Sequence, residues 1–141
     1  MSQKLIEIAK VFQTPLKLNA KAGDKVLIIT DTGMDPLLWQ GLATAANCLD
    51  MEPVVTVMTP RAHHAANPAS PVVHAARDPE VDLVVYLTST AMAHARITDD
   101  LVEANKKFIL MEELTVAMLA PGGPAWADYE AMNRLGQKIA K

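Results

Sequence analysis

A doubly wound, flavodoxin-like α/β sandwich is the fold this sequence predicts, and three observations carry the prediction. Helical and extended segments alternate from end to end. Each extended segment is a short run of apolar, mostly β-branched residues with no in–out alternation, the mark of a strand covered on both faces of a parallel sheet. And 141 residues, half of them hydrophobic and 21% charged, suit one domain with a real core. The expected architecture is a three-layer sandwich around a mostly parallel four-stranded sheet, in the strand order 2-1-3-4 with right-handed crossovers.

The elements follow in chain order. Leu5, Ile8, Ala9 and Phe12 recur at three- and four-residue steps, one face of a helix. Pro15 is expected to close it, because proline disfavours a helical residue before it. Ala22-Gly23-Asp24 makes a turn into the first strand, 25–30. Asp35-Pro36 is a helix entry, a capping side chain before a proline at the first helical position, and the helix should run over 36–49. The second strand is 53–58. A proline-punctuated loop and helix cover 59–77, with Pro71 near the helix start. The third strand is 82–87, followed by a polar turn and a helix reaching about Asn105. The fourth strand is 108–111. Pro121-Gly122-Gly123-Pro124 then breaks the chain before a last helix with Trp126, Tyr129, Met132, Leu135 and Ile139 along one side.

Composition excludes several classes. High apolar content with moderate charge excludes disorder, and Cys48, the single cysteine, excludes a disulfide scaffold. A net charge of −3 argues against a nucleic-acid partner, for which a basic footprint is expected. No apolar run approaches the ~20 residues that span a bilayer, so no membrane partner is expected. The start of the chain lacks a basic-then-apolar leader, so the cytoplasm is the expected compartment.

Ligands of open α/β sheets bind beyond the carboxyl ends of the strands, near the switch in strand order. The residues that follow each strand are therefore the candidates: Asp31-Thr32-Gly33; Thr59 to His64, with Arg61 and His63; Thr88-Ser89-Thr90 leading to His94 and Arg96; and Glu112-Glu113. Polar loops and helix caps account for such residues equally well one loop at a time. Thr88-Ser89-Thr90 before a helix suits an anion held by hydroxyls and amides, although an N-cap cluster is the commoner use. There is no glycine cradle for a dinucleotide or P-loop phosphate and no serine elbow. Adjacent His63 and His64 cannot chelate from one face, and no metal-ligand spacing is present, so no metal site is expected within the chain. His63, His64 and His74 read as surface or loop residues. His94, beside an arginine at the ligand edge, has the chemistry of a general acid or base. Glu112-Glu113 offer a carboxylate base or, more commonly, a charge at a helix start. Cys48 reads as a small buried hydrophobe, and the scattered methionines as core filler.

One resemblance adds to this. Ala22-Gly23-Asp24-Lys25-Val26-Leu27-Ile28-Ile29-Thr30-Asp31 resembles the opening strand of the thermophilic metallo-aminopeptidases (aminopeptidase T-like) and of the related 2,5-dihydroxypyridine 5,6-dioxygenases. The stretch from Ala91 through His94 and Arg96 to Met111-Glu112-Glu113 and Pro121 is similar to the later part of the same N-terminal lobe. The resemblance implies a lobe that shapes a cleft and supports a homo-oligomer. It implies His94 as the substrate-side histidine; Asp31, Thr88, Ser89, Thr90 and Glu112, which follow the strands at the ligand edge, are the expected substrate contacts. The metal ligands of that superfamily come from a C-terminal lobe that has no counterpart here. The divalent metal (iron in the dioxygenase reading, zinc or cobalt in the peptidase reading) would be held there, by the same protein or by a partner subunit. Residues 1–141 would then be one α/β domain, the N-terminal lobe of a two-lobed enzyme, the dioxygenase branch being preferred. The alternatives are a peptidase lobe and a stand-alone small-molecule-binding or assembly module. The last helix ends without a glycine or asparagine cap, though Lys138 and Lys141 suit a helix C-terminus.

Overall fold

The computed structural model describes residues 2–141. Helix α1 (Gln3–Asn19) leads to strand β1 (Lys25–Asp31), helix α2 (Pro36–Cys48) and strand β2 (Glu52–Met58). Helix α3 (Ser70–Arg77), strand β3 (Leu83–Leu87), helix α4 (Arg96–Glu103) and strand β4 (Lys107–Leu110) follow. Two short 3-10 turns, Val116–Leu119 and Pro124–Trp126, precede helix α5 (Tyr129–Ile139). The four strands form one parallel sheet in the order β2-β1-β3-β4, the expected class and order.

The side-chain period of two in the central strands builds both cores. In β1, Val26 and Ile28 face α1 and α2, whereas Leu27 and Ile29 face α3 and α4. In β3, Leu83, Val85 and Leu87 join the first core, and Val84 and Tyr86 the second. Ile8, Phe12 and Leu16 of α1 and Leu38, Leu42 and Ala45 of α2 close the first face. Val72, Val73 and Ala76 of α3 with Ile97 and Leu101 of α4 close the other.

Four local expectations are corrected. Pro15 does not end α1, which continues to Asn19. The proline removes the hydrogen bond to the Val11 carbonyl, a cost of about 3 kcal/mol. Continuing the helix buries Leu16 completely beside Phe12, and each such side chain is worth about 1.5–3 kcal/mol. The Asn19 side chain also donates to the Pro15 carbonyl at 2.8 Å. Second, only β1 and β3 are covered on both faces. β2 and β4 are the edges of the sheet, and Val54, Val57 and Leu110 stay 44%, 51% and 45% exposed. Third, Cys48 is exposed, on the last turn of α2 beside exposed Asn47 and Asp50. Fourth, α4 ends at Glu103, short of Asn105, which is already in the left-handed region (φ 53°).

The turn into β1 needs Gly23 at φ 88°, with its N–H donating to the Asp50 carbonyl at 2.8 Å. Tyr129, Met132, Leu135 and Ile139 lie on α5 as expected, whereas Trp126 belongs to the 3-10 turn before it, and no residue of the helix is buried.

Candidate functional site at the carboxyl edge of the sheet

The fold carries the candidate residues to one edge. β1 and β3 are neighbours whose following connections run to opposite sides of the sheet, so the switch in strand order lies between Asp31 and Thr88. The structure fills that position with its own side chains. Asp31, 1% exposed, accepts from the Gly33 amide at 2.8 Å, the Ser89 amide at 2.7 Å and the Ser89 hydroxyl at 2.7 Å. A Cβ at Gly33 would lie 2.8 Å from Ser89 Oγ, so only glycine allows this packing without a shift. Buried Thr88 turns its hydroxyl to the Thr90 carbonyl at 2.8 Å. Glu112, half-buried after β4, accepts from the Met92 amide.

Of the expected substrate-contacting set, then, Asp31, Thr88 and Ser89 are brought together at the switch point. Thr90 belongs to the same turn. Glu112 stands on the far side of the β3 loop and pins that loop from β4. Their hydrogen-bonding groups are spent largely on one another and on backbone amides. Thr88-Ser89-Thr90 is not the N-cap of α4, because the helix begins seven residues after Ser89. Its N-cap residue is Ala95, which has no side-chain acceptor, and the Ile97 amide instead donates to Asn67 Oδ1 at 2.9 Å. Glu112-Glu113 do not start a helix either; the 3-10 turn beyond them is capped by Thr115.

His94 is exposed in the turn just before α4. That turn is held from three sides: by Glu112 on the Met92 amide, by the Ala95 amide on the Met92 carbonyl at 2.9 Å, and by the Thr98 hydroxyl on the same carbonyl at 3.0 Å. The Thr98 proton being so committed, the Tyr86 hydroxyl donates to Thr98 Oγ1 at 3.1 Å. Burial pushes the Tyr86 phenol up to about 12, assisted by the Glu112 and Asp100 charges.

Sequence reasoning missed how the loop after β2 joins this edge. The Ala91 amide donates to His64 Nδ1 at 2.9 Å, which places the neutral ring's proton on Nε2, 3.9 Å from Glu113 Oε1. The Ala65 amide donates to the Ala91 carbonyl at 2.8 Å. Ala65 and Glu113 both sit in the left-handed region, at φ 63° and 57°. No local pattern announces such contacts, since residues 64 and 91 meet only after two strands have paired with a third. His63 and His74 are exposed surface residues.

Among the described residues, no group of three or more His, Cys, Asp or Glu side chains converges in a way that fits a metal ion. No helix among them is long and apolar enough to cross a membrane. A cavity of about 470 Å³ lies between α1 and the segment after β4, with Phe12, Pro15, Leu110 and Met118 in its wall and Glu112 of the carboxyl edge also lining it.

These features define an α/β three-layer protein with a polar carboxyl edge. Among solved structures, it is similar to the 2,5-dihydroxypyridine dioxygenase of Pseudomonas putida KT2440, with a TM-score of 0.62 and 15% identity over 74% of this chain. The match spans about a third (33%) of that enzyme's chain, and at this identity it speaks for the fold. No family model matches the sequence, and no curated protein does.

Proposed function

We propose that this chain is the substrate-facing lobe of a dioxygenase-like enzyme acting on a small hydroxylated aromatic ring, with the metal in a second lobe or a partner subunit. The observation that supports the reading most is the fold likeness to the dihydroxypyridine dioxygenase, together with an exposed histidine at the carboxyl edge. The donor set of the present residues does not fit a metal, so the chemistry assigned to them is proton handling alone. In this role His94 exchanges a proton with a ring hydroxyl, a step that imidazole suits near neutral pH. Asp31, Ser89 and Glu112 act as positioning residues: they hold the loop that carries His94 and leave its ring open to a ligand.

Oxygen uptake with 2,5-dihydroxypyridine, measured on the gene product assembled with its metal-bearing lobe, tests the reading. His94→Ala should lower kcat by about 10²–10⁴-fold, the usual worth of a general acid or base. It should leave the melting temperature unchanged, because His94 is exposed. Near-normal turnover in the variant would remove His94 from the chemistry. Absence of any oxygen uptake would remove the dioxygenase reading itself.

A further inference from the structure

We infer that the Arg61 guanidinium is an anchor for a carboxylate on a small molecule at the carboxyl edge of the sheet. The inference goes beyond the role of His94 and does not depend on it. Arg61 follows β2 by three residues, in the loop that His64 and Ala65 tie to Ala91. The side chain is half-buried, and its Nε is sealed from solvent without a hydrogen-bond partner. It takes part in none of the ion pairs among the described residues, which join Lys25 to Glu52, Arg77 to Asp100 and Arg134 to Glu130, nor in the His64–Glu113 contact. Other cations are answered: Arg77 by Asp100, and Lys106 by the carbonyls of Asp78 and Val81. Arg61 is not.

A guanidinium that has lost one donor to dry protein is under-solvated, and its charge is then answered only through the terminal Nη nitrogens. These make no protein hydrogen bond and are not sealed. An anion there meets a cation already partly stripped of water, which strengthens the pair over one at a fully exposed arginine. The planar fork matches the two oxygens of a carboxylate. A phosphate would want several backbone amides as well. Five amides of the adjoining loops are taken: Gly33 and Ser89 by Asp31, Ala91 by His64, Met92 by Glu112 and Ile97 by Asn67. A carboxylate, which the fork can satisfy without further amides, is therefore the ligand inferred.

The test is a titration of the ¹⁵N-labelled chain with acetate and succinate, with inorganic phosphate and chloride as the competing arms. The Arg61 Nε–Hε signal is followed directly. A saturable shift with the carboxylates is expected, weakened about tenfold or more in Arg61→Gln when read at the Ala65 and Ala91 amides, the size of one charge-assisted pair. Arg61→Lys should also lose most of the affinity, since lysine keeps the charge without the fork. The inference fails if neither carboxylate gives a saturable shift, if Arg61→Gln binds as tightly as the parent, or if phosphate or chloride binds more tightly. The wild-type Nε–Hε signal decides the matter by itself should the glutamine variant not fold.

Discussion

The Asp31 carboxylate accepts two hydrogen bonds from Ser89, one from its amide and one from its hydroxyl, each 2.7 Å long. With the Gly33 amide these bonds tie the ends of β1 and β3 together where a doubly wound sheet would otherwise open a crevice. A buried carboxylate is tolerated there because all three donors point at it.

Asp31→Asn should therefore cost about 2–3 kcal/mol, since the charged acceptor is lost and an amide NH₂ must face a donor. Urea denaturation monitored by circular dichroism measures this. Ser89→Ala, which removes one of the three donors and keeps the Ser89 amide, should cost less, roughly 1 kcal/mol. Equal stability of Asp31→Asn and the parent would mean that the triad contributes nothing net.

Thr30, one residue earlier, points the opposite way in energy. Its side chain is fully buried and its hydroxyl has no partner. Thr30→Val keeps the shape and the β-branching while removing the orphaned polar group, so stability should rise by about 1 kcal/mol. A destabilised valine variant would show that the hydroxyl is satisfied in solution.

Gly41 sits where α2 touches α1. A Cβ there would lie 2.4 Å from Ile8 Cγ2 and 3.2 Å from Ile8 Cβ. Glycine to alanine in a helix ordinarily gains about 0.5–1 kcal/mol. Here the clash should reverse the sign, with Gly41→Ala losing about 1–3 kcal/mol by overpacking. Ile8→Ala in the same chain should recover part of that loss, which a double-mutant cycle by chemical denaturation will read.

Tyr86 gives an alkaline signature. Its phenol is neutral when folded and is raised from 10.0 to about 12. The unfolded chain thus loses the proton first as pH rises. The stabilisation is complete below pH 10, declines from about 10 to 12 and is gone above, a swing on the order of 2–3 kcal/mol. Tyr86→Phe should flatten that part of the stability–pH curve. Tyrosinate absorbance should show one phenol titrating late in the parent and absent from the variant.

The sheet was legible because its signal is local and redundant. The runs at 25–30, 53–58, 82–87 and 108–111 each lie within a residue or two of an observed strand. The polar residues after them fall on the carboxyl edge because parallel strands leave no other place for them. At Pro15 a propensity rule sees the lost hydrogen bond and not the burial of Leu16. At Cys48, which is exposed, a helical period does not fix where the neighbouring helix stops.

The amino-acid sequence by itself determined the architecture: apolar periodicity, the Asp35-Pro36 entry and Gly23 are local features, and right-handed crossovers follow from the chirality of parallel connections, whereas the strand order is read from the pairing itself. Only the tertiary structure decided what the edge residues do. Whether Asp31 meets a ligand or Ser89, and whether His64 stands alone or takes the Ala91 amide, depends on distances between loops far apart along the chain. Arg61 shows the same dependence, since a missing partner can be seen only once every other partner has its place.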